Sequence, residues 1–586
     1  MEELAEKDVL REELFARETE TARLAALLLD YHRREAKPIW WAYFRRLALT
    51  VPQLVEDAES IGGLEWDGEE PVAHKKSRAY TFTFPVQQHK LDPGDEVVDP
   101  YTGKKAGTIV ELDDVAGRLR LRRGPKADKQ PLPRALIPGG AWDTSCQRQA
   151  LMRLGRSVRD GDGRYAGLEG VLRRELPLGG ERVQVATEDE MKQLVERVEG
   201  RHLFVQGPPG SGKTYTGARL ILHLLARGKR VGVAATSHKA IHNLLDEIVA
   251  AGLDVPALKK RSGGNPESVY ERGPIESRDD VDAFLDPGVR LLAGTAWLFA
   301  RQELDQELDY LFIDEAGQVS LPDALALGTS ARTLVLLGDP LQLAQVSQGT
   351  HPGGSGASVL VHLLGDEQTI PEDRGLFLQR SFRMHPDVCE YVSDAFYESR
   401  LEAAAGCELQ STVVGTGLRF LPVEHAGNRR SSPEEAARAR DEIDRLLGQE
   451  WTDTNGVTRP LRLADVLVVA PYNEQVRCLV EALPRGARVG TVDKFQGQQA
   501  PVVFFSMATS SGEDVPRNLE FLLSRNRLNV AVSRAKCLAY VVASPKLLEV
   551  GCRSIEQMRM ANALCLFVEI AESQAAATAA TRSPTH

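Results

Sequence analysis

Hydrophobic and polar positions divide the chain into three kinds of segment. Residues 1–50 carry apolar side chains at helical spacing among charges, which predicts an N-terminal helical region. Residues 76–137 change to short alternating stretches separated by turn sequences such as LDPGD and DPYTG, and this pattern predicts a small β-barrel. From about residue 187 onward, short apolar strands alternate with helical segments, which is typical of parallel sheets covered by helices.

Two of these segments contain clusters that allow two interpretations each. The aromatic run WWAYF at residues 40–44 is expected to pack in a core, and a stacking platform is the alternative. In the predicted barrel, Arg118, Arg120 and Arg122 alternate with leucines and therefore share one face of a strand. A solvated face is the default interpretation there, and contact with nucleic-acid phosphates is the alternative.

A glycine-rich loop carries the strongest chemical signal. Residues Gly207–Thr214 read GPPGSGKT and fit G-x-x-x-x-G-K-[ST], in which backbone N–H groups wrap around nucleotide phosphates. Lys213 adds a positive charge that reaches the β- and γ-phosphates, and the Thr214 hydroxyl is a ligand for Mg²⁺. A plain glycine-rich turn is the alternative. We expect ATP to bind along the whole loop, which consists of Gly207, Pro208, Pro209, Gly210, Ser211, Gly212, Lys213 and Thr214.

Two further strand ends offer polar groups to the same chemistry. The apolar strand at residues 311–313 ends in two carboxylates, which places Asp314 to hold Mg²⁺ and Glu315 to orient an attacking water. The sequence GDPLQL at Gly338–Leu343 follows another apolar strand, and Gln342 is placed there to sense the γ-phosphate. An ordinary turn is the alternative for this second segment.

Composition and charge restrict the cellular location and the partners that we expect for this chain. No apolar run approaches the length of a membrane span, and the acidic N-terminus lacks a signal-peptide core, so we expect no membrane partner. Seven scattered cysteines without a C-x-x-C pair indicate a reducing, cytoplasmic location and argue against zinc or iron–sulfur sites. The net charge of −11 argues against a nonspecific coat of nucleic acid, although it allows a locally positive cleft.

Ordered motifs give a resemblance to the superfamily-one helicases. DEAGQ at residues 314–318, together with GDPLQL, resembles motifs of the branch that includes the nonsense-mediated RNA decay helicase. Further segments follow in the order of that family: TSHKAIHNLL at Thr236–Leu245, Gly294-Thr295, LQRSFRMHP at Leu378–Pro386, APYNEQ at Ala470–Gln475, TVDKFQGQQ at Thr491–Gln499 and RLNVAVSRAK at Arg527–Lys536. The flanks at Asp30–Leu47, Ser60–Glu65 and Glu556–Glu569 are most similar to the helicase half of bacterial RecB-like nuclease–helicase fusion proteins.

The resemblance implies an α/β fold with two RecA-like P-loop lobes built on parallel sheets, together with the helical region and the small β-barrel. The implied domains are a helical region at 1–75, a β-barrel at 76–140, a first lobe at 141–375, a second lobe at 376–552, and a C-terminal helix with a disordered tail at 553–586, the tail beginning near Ser573.

The resemblance also implies roles for individual residues. Arg383 and Arg534 would be arginine fingers from the second lobe, because a planar cation stabilises charge on the γ-phosphoryl oxygens. Phe382 would stack on adenine and Gln193 would read it, with a plain helix surface as the alternative for Gln193. Contacts to a single strand would come from Ser237, His238, Thr295, Pro471, Tyr472 and Thr491.

The sequence departs from the family pattern at a few positions. Gln499 stands where relatives usually carry Glu near the ribose and γ-phosphate, which puts the choice of nucleotide in question. Ala344-Gln345 replaces Pro-Pro, and Ser381 replaces Gln. A nuclease-like D/E-x-K string at Asp189–Lys192 lies on a capped helix before the phosphate loop, so we do not assign it to a nuclease.

These observations lead to one expected function and two rivals. We expect an ATP- and Mg²⁺-dependent helicase that moves 5′→3′ along single-stranded nucleic acid, with DNA favoured over RNA, in DNA repair or processing. A separate nuclease subunit is a possible partner, because the fusion relatives carry a nuclease. The rivals are an ATP-driven remodeller that does not separate strands and a nucleotide-dependent scaffold for a nuclease.

Overall fold

The computed structural model describes residues 2–582 with the exception of 75, 115, 263, 264, 493, 496 and 516–518. The chain forms two compact units. The first unit consists of Met1–Leu29, Ser145–Val346 and Pro352–His586, and the second consists of Asp30–Thr144 with the short segment Ser347–His351. The second unit is therefore an insertion near the start of the first, and it also includes a few residues from a distant loop.

The first unit contains an eight-stranded sheet in which every pairing between neighbouring strands is parallel. Residues such as Leu203 and Val205 pack in one hydrophobic cluster, whereas Phe204 between them packs in another. Both faces are thus covered, which explains why these strands are continuous apolar runs. In sheet order the strands are Ile275–Arg278, Ala257–Lys260, Leu291–Gly294, Val231–Ala234, Leu308–Ile313, Ala331–Gly338, His202–Gln206 and Gly375–Phe377.

Helices cover both faces of this sheet. Thr187 opens one of them with a capping box, since its side chain accepts from the Glu190 amide while Glu190 accepts from the Thr187 amide. The helices of this part are Glu2–Ala16, Glu20–Leu28, Ser145–Asp160, Ala166–Leu172, Glu188–Arg197, Lys213–Ala226, His238–Ala250, Ala296–Phe299, Leu321–Gly328 and Val359–Leu364, with 3-10 turns at Pro266–Ser268, Asp282–Leu285, Gln302–Leu304 and Ala316–Gln318.

A second parallel sheet, of five strands, follows in the same unit. Its order is Gly417–Pro422, Ala535–Ala543, Ala500–Ser506, Val466–Ala470 and Arg488–Thr491. The helices here are Pro386–Phe396, Pro433–Leu446, Asn473–Ala482, Leu519–Leu522, Arg525–Val532 and Ile555–Arg582, with 3-10 turns at Cys407–Leu409, Leu463–Asp465 and Pro545–Glu549. Short strands pair at Arg380–Ser381 with Glu402–Ala403, and at Ser411–Thr412, Glu450–Thr452 and Thr458–Pro460. The two parallel sheets and the N-terminal helices confirm the predicted α/β fold class.

The C-terminal segment differs from the expectation of a disordered tail beginning near Ser573. The last helix continues to Arg582, and residues 583–586 lie outside the described part of the chain. Gln574 fastens this extension to the second sheet region, because its side chain accepts from the Leu418 amide at 2.6 Å and donates to the Asp387 carbonyl at 3.1 Å. The alanine-rich sequence that follows also favours the helix.

The second unit is built on an antiparallel, curled sheet. Its strand order is Ile61–Gly62, Ala135–Pro138, Glu96–Asp99, Lys104–Asp113, Arg118–Arg123, Ser77–Thr83 and Glu65–Trp66, with Val72–His74 paired to Ser77–Thr83. The first and last strands of this order are neighbours in the sequence, so the sheet curls back toward itself and partly matches the predicted barrel. Phe82, Ile109 and Leu121 fill its interior. Two helices, Tyr31–Leu47 and Val51–Glu56, precede the sheet.

The arginine-bearing strand presents an ion-paired face. Arg120 lies 2.8 Å from Glu111 on one neighbouring strand, and Arg118 lies 3.6 Å from Asp67. These pairs favour the solvated interpretation of the face over phosphate contact. The next residue, Arg123, is buried and donates to the carbonyls of Ala127, Gln130 and Pro131, a role that the alternation of the strand did not predict.

The aromatic run at residues 40–44 does not form a core, so that expectation is wrong. Trp41 is 70% exposed, Phe44 is 60% exposed and Trp40 is 40% exposed. Helix Tyr31–Leu47 buries other positions, namely Tyr31, His32 and Arg46. The helix therefore turns most of its aromatic side chains outward. Only Tyr43 packs inward, against a small cluster that includes Leu54 and Ile137.

Glu35 fastens the segment Ser347–His351 to helix Tyr31–Leu47. Its carboxylate accepts from the Ser347 hydroxyl at 2.7 Å, from the amides of Gln348 and Gly349 at 2.9 Å each, and from the His351 ring. The backbone also approaches closely, since a Cβ on Gly349 would lie 2.8 Å from the Arg34 carbonyl oxygen. Burial alone would raise the pKa of Glu35, but these hydrogen bonds outweigh burial and lower it.

Replacing Glu35 by Ala should release this segment. The amides of Gln348 and Gly349 lose their acceptor, so their hydrogen exchange should become faster, as measured by mass spectrometry on the full chain. Because the pKa of Glu35 is lowered, its contribution is present above the unfolded-state value and is lost as the pH falls, so acidification of the wild type should reproduce the effect. Glu56→Ala, an exposed change on the next helix, serves as the control. Unchanged exchange in the Glu35 variant would contradict the assignment.

Candidate active site

Polar residues converge at the carboxyl edge of the eight-stranded sheet. Strand His202–Gln206 leads into the glycine-rich loop, strand Leu308–Ile313 leads into Asp314 and Glu315, and strand Ala331–Gly338 leads into Asp339. Because these strands are parallel neighbours, their carboxyl ends lie at one edge. The sheet topology therefore brings together segments that are far apart in the sequence.

The glycine-rich loop adopts a conformation that requires glycine. Gly210 and Gly212 both have φ of 76°, in the left-handed region that favours glycine. A Cβ on Gly207 would lie 2.8 Å from the Cβ of Lys213. Helix Lys213–Ala226 begins directly after the loop, so its N-terminal N–H groups and dipole are available to an anion.

Lys213 is buried beside the two carboxylates. Its ammonium lies 3.1 Å from Oε1 of Glu315 and 3.7 Å from Oδ1 of Asp314. Burial alone would lower the pKa of Lys213, but the two carboxylates outweigh burial and raise it, so the lysine stays charged. Burial raises the pKa of Asp314, with Lys213 acting in the opposite direction. Glu315 has φ of 52°, an uncommon conformation for this residue type that is associated with functional sites.

Two arginines from the second α/β region face the same cavity. Arg383 donates from Nε to the Gln499 side chain at 2.7 Å and from NH1 to the Ser533 carbonyl at 2.9 Å. Arg534 donates to the Gln498 carbonyl at 3.3 Å. Burial and the charge of Arg534 lower the pKa of Arg383 to about 9. Burial also lowers the pKa of Arg534, and the negative charge of Glu315 partly opposes that effect. Both guanidinium groups remain charged at neutral pH.

One cavity of about 620 Å³ contains these groups. All eight loop residues line it, together with Asp314, Glu315, Gln342, Phe382, Arg383 and Arg534. The buried cations Lys213, Arg383 and Arg534 make this cavity suitable for a polyanion, and a nucleoside triphosphate has that character. Thr214 and Asp314 both line the cavity, so a hydroxyl and a carboxylate are available as Mg²⁺ ligands.

The segment that carries Arg383 is bonded directly to the glycine-rich loop. The Phe382 amide donates to the Gly210 carbonyl at 2.8 Å, and the Ser381 hydroxyl donates to the Pro209 carbonyl at 3.1 Å. A Cβ on Gly210 would lie 2.6 Å from the Cβ of Arg383. Glycine at position 210 is therefore required twice, once for the loop conformation and once for the close contact with this segment.

A second cavity of about 580 Å³ adjoins the first at Phe382 and Tyr215. Met191, Leu220 and Phe377 contribute to its largely apolar wall. Phe382 is 64% exposed, so its ring is available to a planar group such as a base.

The structure does not bring Gln193 to either cavity. Gln193 is exposed on helix Glu188–Arg197, and the cavity beside Phe382 is lined instead by Gln184. The Gln184 side chain donates to the Phe377 carbonyl at 3.1 Å and accepts from the Phe377 amide at 2.8 Å. The sequence did not identify the residue at the cavity, because Gln193 lies on the exposed face of its helix and Gln184 precedes that helix in a segment that only the fold places against Phe377.

A buried network beside Gln342 was not predicted. One carboxylate oxygen of Asp339 accepts from the Tyr397 hydroxyl at 2.6 Å and from the Gln342 side chain at 3.0 Å. Asn529 donates to the Tyr397 hydroxyl at 2.8 Å and to the Leu341 carbonyl at 2.8 Å. Burial raises the pKa of both Asp339 and Tyr397. The position of Asp339 directly after a buried strand was the available signal, and only the fold shows its partners.

The residues predicted to hold a nucleic-acid strand mostly follow strand ends. Ser237 caps helix His238–Ala250 and also lines the 620 Å³ cavity, and Thr295 follows strand Leu291–Gly294. In the second sheet, Pro471 and Tyr472 follow strand Val466–Ala470, and Thr491 ends strand Arg488–Thr491. The structure thus places these residues at carboxyl ends of parallel strands, where such sheets hold ligands.

Two of these predicted contacts are engaged within the protein. The His238 ring lies 3.1 Å from the Lys259 ammonium, and burial together with Lys259 lowers the pKa of His238 to about 4. His238 is therefore neutral at physiological pH. Tyr472 is buried, and its ring stacks on Phe521 with centroids 5.5 Å apart.

The sequence is similar to known proteins over both α/β regions. Two family profiles, each described as an AAA domain, match residues 188–353 and 357–546. DNA polymerase alpha-associated DNA helicase A of Schizosaccharomyces pombe is 26% identical over 401 residues, which cover 57% of this chain and 59% of that protein. The DNA replication ATP-dependent helicase/nuclease JHS1 of Arabidopsis thaliana is 26% identical over 59% of this chain and 27% of its own length.

A regulator of nonsense transcripts 1 homolog, also from Arabidopsis thaliana, is 24% identical over 86% of this chain and 46% of its own length. The chain thus spans between 27% and 59% of the length of these three relatives. Among the described helices, none has the length and apolar character that crossing a membrane requires.

Replacing Tyr397 by Phe should slow ATP hydrolysis. Asp339 would keep its place but lose the 2.6 Å bond, and the Gln342 side chain that shares its oxygen would be held less firmly. Tyr391→Phe is a matched control, because this buried hydroxyl bonds only to the Ala563 carbonyl in the described structure. Both variants should lose about 1–3 kcal/mol of stability, but only Tyr397→Phe should lower kcat. Equal kcat values in the two variants would contradict this role of the network.

Proposed function

Because this chain belongs to the superfamily-one helicases, we propose that it is an ATP-driven motor that moves along single-stranded nucleic acid and separates duplexes. The observation that supports this most is the shared cavity. Lys213 and Glu315 from the first α/β region face Arg383 and Arg534 from the second across one space large enough for a nucleotide. We assign the first lobe to residues 141–375 and the second to 376–552.

Hydrolysis needs a base beside the γ-phosphate. In our proposal the loop amides and Lys213 hold the β- and γ-phosphates, and Glu315 orients the attacking water and accepts its proton as the bond to the ADP oxygen breaks. Thr214 and Asp314 would hold Mg²⁺, which when bound neutralises charge on the phosphate oxygens. Gln342 contacts the Gly207 carbonyl at 3.4 Å, so it reaches the loop where the γ-phosphate would lie.

The arginines supply the link between the lobes. Arg383 and Arg534 would stabilise the charge that develops on the γ-phosphoryl oxygens, an effect worth about 10³–10⁵ in rate for such arginines. Because the two groups sit on the second lobe, ATP would draw the lobes together and hydrolysis would let them part. Phe382 would stack on the adenine at the adjoining cavity. This alternation would move the lobes along a strand.

The substrate assignment is part of the proposal. We favour DNA over RNA, 5′→3′ movement, and a role in DNA repair or processing with a possible separate nuclease subunit. The resemblance of the flanks to nuclease–helicase fusions supports this, as does the similarity to a DNA replication helicase/nuclease. Strand contact would come from Ser237, His238, Thr295, Pro471, Tyr472 and Thr491, with His238 acting as a neutral group.

Glu315→Gln should stop turnover without preventing ATP or strand binding. The amide cannot accept a proton, whereas the loop and Asp314 still hold the nucleotide, so kcat should fall by about 10²–10⁴-fold. Lys213→Ala should abolish hydrolysis through loss of the phosphate contact. Glu303→Gln, an exposed change on the same lobe, is the control. ATP binding by fluorescence and steady-state hydrolysis separate the cases, and normal turnover in the Glu315 variant would refute the base assignment.

Hydrolysis of ATP by the wild type should rise when single strands are added, and more with DNA than with RNA. Tailed duplexes should be unwound when the tail is 5′ and should remain paired when it is 3′. A rate of ATP hydrolysis that is the same with and without nucleic acid would favour the alternative of a nucleotide-dependent scaffold. Stimulation without strand separation would favour the remodeller, and unwinding only from a 3′ tail would reverse the proposed direction.

A further inference from the structure

One face of helix Tyr31–Leu47 combines aromatic and basic side chains. The exposed residues of this helix are all either aromatic or cationic, and all of them lie in the described part of the chain: Arg33, Lys37, Trp40, Trp41, Phe44 and Arg45. Their spacing of three, four and seven residues places them on one side of the helix. We call this surface the aromatic–basic face.

Two of the three aromatic rings of this face, those of Trp40 and Phe44, are packed against other rings before any ligand binds. Trp40 and Phe44 are nearly parallel, with centroids 5.8 Å apart and an interplanar angle of 26°. Tyr43 meets both rings edge-on at 5.5 Å and is itself anchored in a small hydrophobic cluster. A Cβ on Gly140 would lie 2.3 Å from the Trp40 ring, so the backbone there supports the indole closely. Rigid rings lose little conformational entropy on binding.

The charge of the face indicates the kind of partner. Between residues 31 and 47, which are all described, the one carboxylate is Glu35, and it is occupied by the segment Ser347–His351. Arg45 pairs with Asp57 at 2.6 Å, yet its side chain remains 62% exposed. The face is therefore positive in a chain whose net charge is −11. Phosphates would satisfy the cations, and the flat rings between them suit bases, which is the combination that binds single strands.

The length of the face also fits a strand. Arg33 to Arg45 spans about 18 Å of helix axis at 1.5 Å per residue. Bases stacked at about 3.4 Å each would place several of them along this distance. Single exposed aromatic residues are common and need no explanation, but here the rings are clustered. The cations at both ends of the row favour nucleic acid over an apolar protein partner, because an apolar patch would not need them.

We propose that the aromatic–basic face binds single-stranded nucleic acid by base stacking, as a contact surface on the second unit in addition to the contacts made by the lobes. The partner class rests on the proposed function, but the surface itself does not take part in ATP hydrolysis. Trp41 and Phe44 are the most exposed of its rings and would each stack on a base, while Arg33, Lys37 and Arg45 would contact phosphates.

The test compares two strands and two variants of the full chain. Fluorescence anisotropy would measure binding of a labelled oligothymidine and of an abasic strand of the same length, both without ATP. The variant is Trp41→Ala/Phe44→Ala, whose side chains are exposed, and the matched control is Trp66→Ala/Val86→Ala, which removes two other exposed apolar side chains of the same unit. We expect the variant to weaken oligothymidine binding by about tenfold, to leave binding of the abasic strand unchanged, and to keep the basal ATPase rate.

Several outcomes would overturn the proposal. Wild-type affinity of the variant for oligothymidine would remove the surface from strand binding, and an equal loss for both strands would exclude stacking. If strand affinity is unchanged but self-association measured by analytical ultracentrifugation is lost, the face is a protein interface instead. Failure of the proposed function is distinguishable, because it would appear as ATP hydrolysis by the wild type that does not respond to any strand.

Discussion

Charge compensation in one cavity is the constraint on which the arrangement of the first unit depends. Lys213, Arg383 and Arg534 line this cavity, where Asp314 and Glu315 pair with Lys213 and Glu315 also partly offsets the burial of Arg534. Such charges are tolerated away from water only when they are paired. Both α/β regions contribute charged groups to this cavity, and a triphosphate would complete the balance.

The hydrogen bonds around this cavity involve backbone groups as well as side chains. The glycine-rich loop is bonded to the segment before Arg383, and Asp339 joins Gln342 to Tyr397 and through it to Asn529. Since buried hydrogen bonds are costly to leave unmade, a shift at one end of such a network is felt at the other. In the proposed motor, this network would give a physical route by which the state of the nucleotide affects the position of the second lobe.

The second unit differs in that it exposes aromatic and cationic side chains on one helix. Its helix Tyr31–Leu47 uses one carboxylate, Glu35, to bind a loop segment, and exposes Trp40, Trp41 and Phe44 between cations. Exposing such rings gives up hydrophobic burial, so the arrangement makes sense where the rings have something to bind. In the curled sheet, by contrast, Arg118 and Arg120 pair with the carboxylates of Asp67 and Glu111.

The sequence by itself determined what local chemistry can determine. The loop Gly207–Thr214, the carboxylates after strand Leu308–Ile313 and the alternation of strands with helices follow from spacing and composition, because they depend on residues that are neighbours in the chain. Tertiary structure alone decided which groups meet and which are exposed: that Gln184 and not Gln193 lines the cavity, that Asp339 binds Tyr397, and that Trp40, Trp41 and Phe44 are exposed. Burial and contacts between distant segments settle those questions, and both depend on what packs against each surface, which no local pattern records.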